Sequence, residues 1–312
     1  MSASRLSALM AFGACLPLAA SAQSAYLPLV PDVCMPPAAA GGWPVVVTSS
    51  WCTPTAGANI ILYWDAGGYA GVAGNPALPG KAVAYELGWF MDTNDWAVAD
   101  DGHGGTHLTD PNGSGFDAVN GIRNFARWDA NHTKFGANQL TPPGPLPAGK
   151  VGYGWGVGLV LANGYANAVA EINAGRPLLT SFQHWGILNT GQFANIGGTN
   201  YPVYDFGENP GHIGGIDEYG NPWDQDFGLG HTVTTVGYFS NFNLQGQNVN
   251  LLIVHDGVPA MGQGFVTPVD LAIVFRGNLW NGNININPVP EPGTLGMILA
   301  GGIWLAAALR RR

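Results

Sequence analysis

An α+β fold, with helices first and an antiparallel sheet after them, is the architecture the sequence predicts. Three observations carry it. Residues 55–64 form an apolar run long enough for a helix. A helical pattern over 163–174 ends at Gly175 and leads directly into the strand-like run PLLTSF, 177–182. Three further strand-like runs then follow in close order: HTVTTVGYFS (231–240), VNLLIVHDG (249–257) and DLAIVFRGN (270–278).

Taken in order, residues 23–44 read as an extension rich in Pro, Ala and Gly, with an extended run at 44–48. WCTPTAGANIILYWD, 51–65, is the first helical stretch. Pro54 suits a first helical position, where its missing N–H costs nothing. Ala56, Ile60 and Tyr63 make the expected inner stripe, and Asn59 is expected to face away. Glycines 67, 68, 71 and 74 end this helix in a loop. A short helix is predicted over 82–91. The acidic stretch 92–107, DTNDWAVADDGHGGTH, has oxygens suited to calcium but lacks the EF-hand order of ligands, so it reads as a solvated loop.

Apolar residues at 116, 119, 122, 125 and 128 predict an amphipathic helix over 116–129. Residues 153–161 suit a strand, and 186–230, heavy in Gly, Asn and Asp, read as loop. GHIGGIDEYG within that loop has ligand-like residues without zinc spacing. QGQN at 245–248 predicts a hairpin turn between the later strands. NGNININPVP, 281–290, reads as a spacer, with 281–288 linking the domain at 45–280 to the C-terminal segment.

Both ends look like targeting segments. Arg5, an apolar run over 6–20 and Ala20-Ser21-Ala22 form a signal-peptide pattern over 1–22, so export is expected. Residues 289–312, VPEPGTLGMILAGGIWLAAALRRR, join a Pro-Glu-Pro, an apolar run and three arginines. That run is shorter than the roughly 20 residues of a full span, and its arginines fit the cytoplasmic side. Between the ends, residues 23–289 hold 19 acidic and 7 basic side chains. This excess disfavours nucleic acid and anionic membranes as partners. The chain has no Gly-x-Gly-x-x-Gly element, and no cofactor is implied.

Thiol chemistry needs a cysteine of low pKa, an imidazole within reach and a group that orients the imidazole. Cys52 stands at a predicted helix N-terminus, where the dipole favours a thiolate. Of seven histidines, His231 is best placed as base, because it opens a strand after Gly228-Leu229-Gly230. The next strand ends at His255-Asp256-Gly257. Antiparallel pairing brings that end beside His231, so Asp256 is the expected orienting residue.

These blocks carry a resemblance. WCTPTAGANIILYWD resembles the nucleophile helix of C39-like cysteine peptidases, GHTVTTVGY (230–238) their histidine strand, and VHDGV (254–258) the strand bearing their aspartate. AEINAGRPLLTSF (170–182) is similar to the segment that precedes the histidine region. The resemblance implies a papain-like α+β fold that hydrolyses peptide bonds by acyl transfer. Cys52 would be nucleophile, His231 general base and acid, and Asp256 the orienting residue. The C-terminal segment resembles a PEP-CTERM sorting signal. That implies transient anchoring in the inner membrane, cleavage by an exosortase-type enzyme, and delivery to the cell surface or an exopolysaccharide matrix.

One part of the family pattern is missing. Related thiol peptidases place a Gln shortly before the cysteine as oxyanion donor, but residues 45–51 read VVVTSSW. Ser49, Ser50, the Cys52 N–H and Gln183 are the substitutes the sequence offers. Cys34 sets up a second reading: of three cysteines Cys15 lies in the expected signal segment, and the two left in the exported chain permit a Cys34–Cys52 disulfide. That bond would block the nucleophile and leave a catalytically inactive, peptidase-like surface or matrix protein. The two expectations are therefore an exported thiol peptidase with a peptide or protein substrate, and an inert scaffold.

Overall fold

The computed structural model describes residues 23–33, 51–69, 72–73, 80–93, 106, 117–127, 155–161, 164–182, 187–206, 213–216, 222–224, 230–257, 270–275 and 280–290. Its helices are α1 (Cys52–Ala66), α2 (Gly80–Phe90), α3 (Ala118–Arg127) and α4 (Tyr165–Asn173). Its strands are β1 (Ser24–Tyr26), β2 (Trp155–Leu161), β3 (Leu178–Phe182), β4 (Ile187–Ile196), β5 (Thr199–Phe206), β6 (Ile213–Ile216), β7 (Pro222–Asp224), β8 (His231–Leu244), β9 (Gln247–His255), β10 (Leu271–Val274) and β11 (Trp280–Pro290). The architecture is α+β. One sheet runs β2-β11-β3-β8-β9-β10-β5-β4, with β1 pairing a later part of β8, and β6–β7 form a separate ribbon.

α1 is apolar on nearly every side, and the structure shows why. Residues Thr53 to Ile61 are all buried, because the helix lies between the sheet and the α2–α3 pair. Its Gly57 faces Leu87 and Met91, each 3.4 Å from where a Cβ would stand. Its other side is polar and docks on β8. Asn59, expected to face away, is fully buried there: its Nδ2 donates to Thr234 Oγ1 (3.0 Å), and its Oδ1 accepts from the Val33 N–H (2.8 Å). Thr234 Oγ1 in turn donates to the Ala56 carbonyl (3.1 Å). A buried donor or acceptor left unpaired costs about 1–3 kcal/mol, so these bonds fix how α1 sits on the sheet.

The two faces of the sheet are filled separately. Val236, Leu251, Ile253, Val203 and Ala272 belong to one apolar cluster, and Val233, Leu252, Val254 and Ile273 to another with Ala168 of α4. That alternation is the period of two expected of strands with both faces covered. α4 ends as the sequence predicts: Gly175 adopts φ +76°, the Arg176 N–H donates to the Glu171 carbonyl (3.0 Å), and the Gly175 N–H to the Ile172 carbonyl (3.0 Å). This is the Schellman arrangement. Tyr63 of α1 donates to the Gly175 carbonyl (2.8 Å), which ties the end of α1 to this cap.

The hairpin at 245–248 also forms, as a two-residue turn. Gln245 and Gly246 have φ 50° and 89°, and Leu244 pairs with Gln247, as a type I′ loop requires.

Four expectations are corrected. Residues 187–206 are not loop but the hairpin β4–β5, closed by Gly197 and Gly198 at φ 60° and 90°. β4 is a sheet edge with many exposed residues, so its sequence lacks the apolar alternation of a covered strand. The sheet is mixed rather than antiparallel, since β10 pairs β5 in parallel. The stretch 281–290 is not a spacer: it is β11, inserted between β2 and β3. Its Asn-Ile-Asn-Ile alternation is a strand period that its prolines and asparagines obscured. The N-terminal extension also contributes to the sheet, through β1.

Residues 1–22, where a signal peptide is expected, and residues 291–312 lie outside the described residues. Among the described residues no helix is long and apolar enough to cross a membrane. The calcium-like loop falls almost wholly outside them as well.

Candidate active site

α1 begins two residues before Pro54. Trp51 is its N-cap and Cys52 its first residue, so Pro54 falls in the first turn, where its missing N–H is still harmless. The Thr55 N–H donates to the Trp51 carbonyl (3.1 Å), as does the Thr55 hydroxyl (2.7 Å). Cys52 is therefore half-buried at the positive end of a helix that the core holds rigidly. Trp51 stacks on Tyr85 with ring centroids 5.8 Å apart, and its indole lies directly over Gly88 of α2.

A Cβ on Gly88 would overlap that indole. Gly88→Ala is expected to cost about 1–3 kcal/mol by overpacking and, by shifting Trp51, to slow alkylation of Cys52 at neutral pH. Urea unfolding and the alkylation rate measure the two effects. An unchanged alkylation rate would show that Trp51 does not position the thiol.

His231 opens β8 and is buried, paired in register with Phe182 of β3. Its Nε2–H donates to the backbone carbonyl of Asp256 (2.9 Å), just past the end of β9. That bond leaves Nδ1 as the ring atom available to sulfur, and Cys52 and His231 lie close enough for each to shift the other's pKa. The geometry thus brings together the three residues the sequence singled out. The role foreseen for the Asp256 carboxylate is shared: its main-chain carbonyl accepts the imidazole N–H, and its negative charge lies close enough to favour imidazolium.

The electrostatics follow from that geometry. Burial pushes the Cys52 thiol up. The His231 hydrogen bond and charge, the Thr232 backbone and the Thr53 hydroxyl pull it down further, to about 7. Burial alone would lower the His231 pKa. The Cys52 hydrogen bond and charge, followed by the Asp256 carbonyl and charge, raise it above the ordinary imidazole value. Each partner therefore stabilises the charged form of the other.

Sequence reasoning missed a buried chain of hydroxyls behind the thiol. Thr53 Oγ1 lies 4.0 Å from the Cys52 sulfur and donates to Thr232 Oγ1 (3.0 Å), which lies 3.3 Å from Ser181 Oγ. Together with Asn59–Thr234, this polar seam aligns α1 with β8, and so Cys52 with His231. The alternating threonines of HTVTT and a lone Asn in an apolar helix were its only traces in the sequence.

Cys52 is a free thiol among the described residues. Cys34, Ser49, Ser50 and Gln183 all lie outside the described residues. Within them, the oxyanion donors at hand are the N–H groups of the first turn of α1, which no intrahelical carbonyl satisfies.

The chain matches no family model, no curated protein and no solved structure. Its chemistry is therefore argued from the site alone: a half-buried thiol of lowered pKa, a hydrogen-bonded imidazole and a carbonyl that orients the imidazole.

Proposed function

We propose that this chain is an exported thiol-dependent peptidase of the C39-like, papain-like kind, which hydrolyses peptide bonds by acyl transfer through Cys52. The observation that carries the reading is the pairing of the Cys52 thiol, at a helix N-terminus, with the nearby His231 imidazole, whose Nε2 is held by the Asp256 carbonyl. In the first step the Cys52 thiolate attacks the substrate carbonyl carbon. The oxyanion forms against N–H groups of the first turn of α1, and His231 gives its proton to the leaving amine. In the second step neutral His231 takes a proton from water, the hydroxide attacks the thioester carbon, and the acid product leaves with the thiolate restored.

The sequence at both ends supports export, transient anchoring and processing by an exosortase-type enzyme, with the surface or an exopolysaccharide matrix as destination.

Labelling with a thiol-directed peptidyl epoxide tests the reading. We expect one covalent adduct per folded chain, on Cys52 by peptide mapping, competed by peptide substrates. Failure to label reduced, folded protein would leave the peptidase reading without support.

A further inference from the structure

A second cluster of donors stands at the end of β9, beginning one residue before Asp256: Asp32, His255 and Asp270. We propose that these three residues form a site for a divalent transition cation of the zinc type, separate from Cys52. One donor atom from each lies within 4.8 Å of the others. They line a cavity of about 360 Å³, together with Tyr26, Tyr201 and Asn200 among others, and no lysine or arginine among the described residues lines it.

The mounts are rigid. Leu271 pairs with Val254, so Asp270 sits across from His255 on neighbouring strands. Asp32 comes from the segment after β1, whose next residue, Val33, is pinned to Asn59 of α1. Ligating side chains characteristically carry outer partners that fix their orientation, and two of these three do. His255, its side chain only 2% exposed, is held at Nδ1 by the Pro31 carbonyl (3.1 Å). That leaves Nε2 directed at Asp270 Oδ1, 2.9 Å away. The other oxygen of Asp270 accepts a hydrogen bond from the Tyr26 hydroxyl (2.6 Å).

With Nδ1 donating to the Pro31 carbonyl, Nε2 and a carboxylate oxygen face each other as a pair that a proton on Nε2 joins, and a metal ion taking that proton's place would join them too. Asp32 adds the independent observation. Its Oδ1 is buried with no hydrogen-bond donor among the described residues and lies 3.9 Å from His255 Nδ1. A buried anionic oxygen without a donor is costly, and a metal ion satisfies it outright.

One imidazole and two carboxylates, with cavity space for a further ligand, match a three-ligand open zinc site. The nitrogen donor argues against calcium, which takes six to eight oxygens. Zinc bonds of about 2.0 Å in a tetrahedron put donors about 3.3 Å apart, so on binding the 2.9 Å His255–Asp270 pair opens slightly while the side chain of Asp32 moves inward.

The test uses the untagged full chain carrying Cys52→Ser, stripped of metal and titrated calorimetrically with Zn²⁺, with and without Asp32→Asn. One zinc per chain is expected, with affinity weakened about tenfold or more by Asp32→Asn. Zinc-edge X-ray absorption of the Cys52→Ser chain should show one imidazole among oxygen ligands. This second readout decides the matter even if Asp32→Asn fails to fold. No binding, equal affinity in a folded Asp32→Asn variant, or sulfur in the zinc shell would overturn the proposal.

Discussion

Cys52→Ala is expected to remove peptide hydrolysis, lowering kcat by about 10⁴-fold or more, as loss of the nucleophile does in triad enzymes. The effect should not come from unfolding. Cys52 is the first residue of α1 and half-buried, so trimming its sulfur removes little of the core. The polar seam Thr53–Thr232 and Asn59–Thr234 remains to dock the helix. Urea midpoints of the two proteins should therefore agree closely, while steady-state hydrolysis of a fluorogenic peptide collapses. Retention of hydrolysis in a folded Cys52→Ala protein would show that the thiol is not the nucleophile.

His231→Ala should act on rate and on pH dependence together. Without the imidazole, burial of Cys52 is no longer offset by its largest stabilising partner, and the thiol returns toward or above its ordinary value of about 8.5. The sign follows from the direction of the shift. The folded thiol is depressed to about 7, so thiolate is populated above that pH and is lost as pH falls through it. Alkylation of wild-type Cys52 by iodoacetamide should therefore rise with an inflection near pH 7. In His231→Ala the inflection should move up by more than one unit, and hydrolysis should fall by about 10⁴-fold with the loss of the general base. A wild-type inflection at the ordinary thiol value would remove the case for an ion pair.

The site was more legible in the sequence than the fold around it. Cys52, His231 and Asp256 each sit at the end of an element whose pattern is strong: an apolar helix opened by Cys-Thr-Pro, a Val/Thr-rich strand, and a strand closed by His-Asp-Gly. Antiparallel pairing of neighbouring strands was enough to place the last two together. Asn59 was misread because helical periodicity ranks it as polar and therefore outward. Only the register of α1 on β8 shows that its amide has two buried partners.

β11 was unreadable for a different reason. Its residues are rich in Asn and Pro, and what makes it a strand is a pair of neighbours supplied from elsewhere in the chain: it fits between β2 and β3, about a hundred residues before it. The Asp32–His255–Asp270 cluster was hidden in the same way, since no spacing rule joins the segment after β1 to the facing ends of β9 and β10.

The most direct measurement of the central claim is intact mass of the reduced protein during reaction with an activated peptide ester. Acyl transfer through Cys52 predicts a transient acyl adduct that maps to Cys52, decays with water, and is trapped longer in His231→Ala if it forms at all. An ester hydrolysed without any adduct on Cys52, or at the same rate by Cys52→Ala, would contradict it.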